Sequence, residues 1–234
     1  MIDLHAIRFA KLNLDYDRNA LLTEVTKLSS QFKSMPALDK WSRAHPRIFV
    51  GEQHELDEIT TVDALHNVHQ KIHSAWQGLS ITCIPGEKFS YYGSNKIRNM
   101  STSSWAWRTD VSAPVLKLIT ESLNFQEIHS VRIMMLPAGS IGLVHVDSTS
   151  DYYRNNVSIT LNVSNGGSPI IFEEQGTQFS ALQEPAFLFR DDCYHGVPRV
   201  SSNRIQIRIN GKPSYSTLAP LVDLNSVVLT PPNA

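Results

Sequence analysis

Only two cysteines, Cys83 and Cys193, occur in the 234 residues. That is too few for a disulfide framework or a thiolate zinc centre. No apolar run reaches the roughly 20 residues that a membrane-crossing helix needs. The opening "MIDLHAIRFAKLNLDYDR" lacks the pattern of a signal peptide. Neither sign of charge is in excess: 21 Lys and Arg stand against 22 Asp and Glu, a formal net charge of −1. With no Lys/Arg cluster to track a phosphate backbone, neither nucleic acid nor an anionic membrane is expected as a partner. Internal repeats, low-complexity tracts and an obvious linker are also missing, which argues against a solenoid or separate domains. The expectation is a cytoplasmic protein with free thiols, folded as one domain over 1–234.

Three segments carry helical spacing. "DRNALLTEVTKLSSQF" has Leu21, Leu22, Val25 and Leu28 in step, with Asp17 as N-cap. "TTVDALHNVHQKIHSAWQG" repeats the pattern, with Gly78 to end it. "SAPVLKLITESLNF" has Pro114 near its first turn. Between the second and third, "SYYGSNKIRNMSTSSWAWRTD" has no clear period and suggests an ordered loop or edge strands. From about residue 129 the texture changes to short β-type runs, "HSVRIMML", "IGLVHV", "NVSITLNV", "SPIIFEE", "PAFLFRD" and "NRIQIRING". Turn signals around Pro137, Gly139, Gly166 and Gly167 separate several of them. The fold class expected is mainly β with flanking helices, a double-stranded β-helix (jelly roll). Residues 1–128 form a helix-rich part covering the barrel, 129–212 the jelly-roll core and 213–234 a tail packed on the body. The sequons at Asn99, Asn156 and Asn162 read as chance matches, two of them on or beside a core strand.

The chemistry-bearing stretch is "GLVHVDSTSDYY". His145 and Asp147 are two apart, and residues i and i+2 of a strand share a face. His195, in "FLFRDDCYHGVPRV", supplies a third ligand type near the end of another strand. Two imidazoles and a carboxylate on one face of a metal leave three octahedral positions open, a set suited to Fe(II) that binds a chelating cosubstrate and O2 together. Arg204 follows His195 by nine residues, with Gln206 and Arg208 on the same strand face. A guanidinium there can hold a carboxylate through paired hydrogen bonds. Ser158, Thr160 and Asn162 alternate on "VSITLNV" and offer neutral polar contacts.

HxD, a distal His and an Arg about ten residues on resemble the signature of the 2-oxoglutarate/Fe(II)-dependent oxygenases. The frame "VRIMMLPAGSIGLVHVD … VSITLNV … FLFRDDCYHGVPRVSSNRIQIRING" resembles the aspartyl/asparaginyl β-hydroxylase-like branch, with its small proline-hydroxylase-like members, over residues 129–212. The resemblance implies that His145, Asp147 and His195 bind Fe(II) and that Arg204 holds the distal carboxylate of 2-oxoglutarate. Arg204 lies about one residue closer to the distal His than is usual in the family, so Arg208 stays a rival for that role. Arg154 and Ser158 both lie near the place of a second family arginine. A carboxylate at Asp147 leaves no vacant position for halide, so hydroxylation is the expected outcome. The resemblance does not carry over a substrate; the expectation is a small polar molecule, a free amino acid or derivative, with Arg98, Arg108 and Trp107 as candidates to meet it.

Other readings stay open: a peptide or protein substrate, a cupin-like metal enzyme without 2-oxoglutarate, and a non-catalytic binding module. His66, His69 and His73 sit at helical spacing but lack an H-E-x-x-H arrangement, and read as a polar helix face. Cys193 beside His195 reads as a small buried thiol rather than a nucleophile. Trp105 and Trp107 divide evenly between a pocket wall and a strand packed on the core.

Overall fold

The computed structural model describes residues 3–34, 76–85, 105–145, 152–174, 177–181 and 184–230, with 34, 143–145, 165, 174, 178 and 181 as backbone. In chain order the elements are β1 (Ile7–Lys11), α1 (Arg18–Leu28), β2 (Lys33–Ser34), β3 (Gln77–Ser80), β4 (Thr82–Cys83), β5 (Ala106–Trp107), α2 (Pro114–Ser122), β6 (Glu127–Leu136), β7 (Gly142–His145), β8 (Val157–Asn165), β9 (Ile170–Glu174), β10 (Thr177–Ala181), β11 (Ala186–Phe189), β12 (Tyr194–Val197), β13 (Arg204–Lys212), α3 (Tyr215–Leu218) and β14 (Val228–Leu229).

Strands β6 to β13 pair as a ribbon folded in half at the β9–β10 hairpin. β9 pairs with β10, β8 with β11, β7 with β12 and β6 with β13, all antiparallel. Rolling that ribbon up adds the pairs β8–β13 and β9–β12. The result is the expected jelly roll. Its large sheet runs β14-β1-β11-β8-β13-β6-β3-β2, and its small sheet runs β10-β9-β12-β7.

The two faces of the large sheet differ. On one face Val131, Ile133, Val157, Ile159, Leu161, Ile207 and Ile209 pack against Leu21, Val25 and Leu28 of α1 and Leu116 and Ile119 of α2. Both helices form for reasons visible in their sequence. Asp17 accepts a hydrogen bond from Ala20 N at 2.9 Å and caps α1. Pro114 sits in the first turn of α2, where its missing N–H costs nothing. The other face looks at the small sheet. There Phe187 and Phe189 from β11 meet Phe172 from β9 in a second core, with Phe9, Leu136 and Val197.

The sequence reading needs correcting in the N-terminal part. Gly78 does not end a helix; it lies in β3, paired with Met134 of β6. Strand pairing along the β6 edge overrides the local helical spacing there. β1, missed altogether, pairs with β11 and β14. Its segment is buried along both faces, and its Arg8 is only 2% exposed, so no alternation marks it as a strand. Residues 61–75, with His66, His69 and His73, lie outside the described residues, as does Asn99. Asn156 and Asn162 are buried, which agrees with reading their sequons as chance. Gly139, Gly166 and Gly167 have positive φ, as turn glycines should. Among the described residues no helix is long and apolar enough to cross a membrane.

Candidate active site

The alternation on β8 and β13 places the apolar side chains toward the helices and the polar ones toward the small sheet. The inward set is Ser158, Thr160 and Asn162 on β8, with Arg204, Gln206, Arg208 and Asn210 on β13, all buried. Part of this polar floor satisfies itself. Gln206 Nε2 donates to Asn162 Oδ1 at 3.0 Å, and Asn210 Nδ2 to Ser130 Oγ at 2.8 Å. A polar floor in a space closed by two sheets is costly unless it binds something or is fully paired.

Across this space lies β12. Its register sets His195 directly opposite His145 on β7 and opposite Phe172 on β9. Directly opposed residues of an antiparallel pair share a sheet face, with Cβ atoms about 4.5–5.5 Å apart. His195 is 4% exposed, and its ring meets Phe189 edge-on with centroids 5.2 Å apart. Its Nδ1 lies 3.0 Å from the Cys193 carbonyl oxygen. A carbonyl can only accept, so the proton belongs on Nδ1 and the ring lone pair on Nε2. That is how a metal-ligating imidazole is ordinarily oriented. This tautomer makes Nε2 the acceptor nitrogen of His195, and the register sets the His195 backbone opposite that of His145. Asp147 and residues 146–151 lie outside the described residues, and no group of three metal-ligating side chains is found among the described ones.

Arg204 opens β13 opposite Leu136 and Asn165. It is 1% exposed, and one terminal nitrogen donates to the Ser168 carbonyl oxygen. Burial pulls its pKa down from 12.5 to about 10. A carboxylate beside it would oppose that shift. The Gly166 turn presses on this position: a Cβ at Gly166, where φ is +62°, would stand 2.7 Å from Ser202 O and 2.8 Å from Arg204 Cβ. The "SNGGSP" turn therefore needs glycine there, and it braces the arginine.

Arg208 is placed differently. A terminal nitrogen donates to Asp191 Oδ2 at 2.5 Å, and the guanidinium lies 5.8 Å from the Phe189 ring centroid. Tyr153 OH donates to Asp191 Oδ1 at 2.7 Å. Burial, reinforced by Asp191, raises the pKa of both Tyr152 and Tyr153, so each phenol keeps its proton at neutral pH. Ser158 Oγ and Thr160 Oγ1 are buried with no hydrogen-bond partner among the described residues. Sequence reasoning missed Asp191, Tyr152, Tyr153 and Arg132. The available signal was Arg132 itself, a charge that shares strand parity with Met134 and Leu136 in "HSVRIMML".

Two further candidates have partners of their own. Arg108 forms a forked pair with Asp110 and donates to Ser80 O at 3.1 Å. Trp107 packs against the helix-side core, with Lys117 Nζ 5.9 Å from its ring centroid. Arg98 is outside the described residues. Cys193 is a buried free thiol.

No family model and no curated protein matches the chain. Solved structures do. A Pseudomonas putida prolyl-4-hydroxylase is 13% identical over 91% of this chain and 96% of that one, with a TM-score of 0.46. A Trichoplax adhaerens prolyl hydroxylase, solved with a hypoxia inducible factor oxygen degradation domain peptide fragment, is 12% identical over 90% and 86%, with a TM-score of 0.48. The non-heme monooxygenase ThoJ, as a nickel complex, is 9% identical over 97% and 83%, with a TM-score of 0.43.

Proposed function

We propose that this chain is an Fe(II)- and 2-oxoglutarate-dependent dioxygenase that hydroxylates a small polar substrate, a free amino acid or a close derivative. The observation that carries the reading is the strand register that sets His145 of β7 opposite His195 of β12. His145, Asp147 and His195 would hold the metal. When bound, Fe(II) supplies the O2 chemistry, in which 2-oxoglutarate loses CO2 to become succinate, with one oxygen atom entering succinate and the other a substrate C–H bond.

The chain's own residues orient and enclose. Cys193 O holds the His195 ring in the ligating tautomer. Phe189 and Phe172 wall the imidazole from bulk water. Arg204 would take the distal carboxylate of the cosubstrate. Arg208 is the weaker rival, because Asp191 already matches its charge. Ser158, buried and hydroxyl-bearing on the same inner face, would add a neutral contact to bound ligands. The finer placement in the aspartyl/asparaginyl β-hydroxylase-like branch rests on the sequence frame around the HxD.

Succinate formation from 2-oxoglutarate, followed in air with and without Fe(II) and with a panel of free amino acids, tests the reading. Fe(II)-dependent succinate release stimulated by a free amino acid is the expected result. Turnover of a peptide with no amino acid accepted would move the substrate to the peptide class. No Fe(II)-dependent succinate release at all would remove the function.

A further inference from the structure

We propose that the inner face of the large sheet carries a second anion site, distinct from Arg204, that binds the substrate's carboxylate through Arg132. This rests on the metal and cosubstrate reading above, and it makes the substrate a carboxylic acid rather than merely a polar molecule. Arg132 on β6 is directly opposite Arg208 on β13, and Arg208 is directly opposite Thr160 on β8. The three therefore form one row across three strands on the face that looks at the small sheet. In the next row Asn210 stands opposite Ser158.

Like charges directly opposite one another destabilise a sheet. Here two guanidiniums are set side by side against one carboxylate, Asp191, which Arg208 engages. The next residue, Asp192, is taken up by Arg8 and Arg190. Among the described residues Asp191 is the carboxylate beside this row, and a bound carboxylate fits against the adjacent guanidinium of Arg132. Hydrogen-bonding capacity points the same way. Ser158 Oγ and Thr160 Oγ1, on residues each 1% exposed, have no partner among the described residues, and neither do Arg132 Nε and Tyr152 OH. Tyr152, whose ring meets that of Tyr153 edge-on at 5.2 Å, lies within the electrostatic reach of both Arg132 and Arg208. Buried hydrogen-bonding groups gathered beside two guanidiniums are what an anion needs and what an apolar guest would leave unsatisfied.

Position completes the argument. The Phe189 ring neighbours both the His195 ring and the Arg208 guanidinium, at 5.2 and 5.8 Å from its centroid. A small acid held on this row therefore sits one aromatic ring away from the metal-side imidazole.

The test compares free L-amino acids with the same compounds as carboxamides, using the full chain. Binding to the metal-free protein is read by calorimetry, and turnover by succinate release with Fe(II). Acids are expected to bind and react at least tenfold better than their amides. Arg132→Gln should raise KM for the acid at least tenfold, abolish the acid-over-amide preference, and leave KM for 2-oxoglutarate within twofold. Arg132→Lys, which keeps the charge, should recover part of the preference. If Arg132→Gln fails to fold by circular dichroism, Thr160→Val carries the test, with a several-fold loss for acids and none for amides. Equal use of acids and amides, an unchanged KM for the acid, or an effect on 2-oxoglutarate instead would each overturn the proposal. So would binding of no acid to the metal-free protein. Calorimetric preference for acids, lost in Arg132→Gln, would uphold the anion site even if Fe(II)-dependent turnover were absent, which would sink only the oxygenase reading.

Discussion

Arg204 and Arg208 are four residues apart on one face of one strand, yet they meet different surroundings. Arg208 donates to the Asp191 carboxylate, and Arg204, at the braced end of β13, donates to the Ser168 carbonyl oxygen. Removing a buried guanidinium from a carboxylate ligand costs about 2–5 kcal/mol, more than tenfold in affinity. Arg204→Ala is therefore expected to raise KM for 2-oxoglutarate at least tenfold, and Arg208→Ala to act mainly on stability by stranding Asp191. Steady-state kinetics beside thermal unfolding of the two variants separates these outcomes. His129 gives a pH prediction. Its side chain is buried, and desolvation lowers its pKa below 6.5, with Glu127 opposing the shift in part. The unfolded chain then binds a proton near pH 6.5 that the folded chain resists, so stability is full above that pH and declines as pH falls below it. Tm should drop between pH 7 and 5.5, and His129→Gln should flatten that part of the profile.

At the scale of elements, α1 and α2 are fastened by one side chain. Ala113 offers α2 no side-chain cap, and Glu24 of α1 accepts from Val115 N at 2.8 Å and Leu116 N at 2.9 Å in its place. Glu24→Ala leaves both N–H groups without that acceptor and removes a negative charge from the helix N-terminus. The expected cost is about 1–3 kcal/mol, while Glu24→Gln should lose less. Chemical denaturation of the two variants measures the difference. Both helices were legible because Asp17, Pro114 and the 3–4 residue spacing are local signals. The strands of the jelly roll were legible for the same reason, since "VSITLNV" and "RIQIRING" alternate. β12 was not: "YHGV" is four residues with a Gly inside, and it is a strand because β7 and β9 flank it. β3 was not legible either, since pairing with β6 decides it. In the candidate site, the residues proposed as metal ligands were suggested by their order in the chain. Asp191 and Arg132 were not, because their roles depend on which strands lie side by side.

For the whole molecule, the large sheet separates two jobs by face. Apolar residues pack on α1 and α2 and hold the fold, while the polar residues turn toward the small sheet, where the proposed chemistry would lie. The near-zero net charge provides no long-range field to assist recognition. The central claim is that His195 is a metal ligand facing His145. Anaerobic calorimetric titration of Fe(II) into the wild-type chain and into His195→Ala tests it most directly. One Fe(II) per wild-type chain, with binding lost in a variant that stays folded, is the expected result. Unchanged Fe(II) affinity in His195→Ala would contradict it.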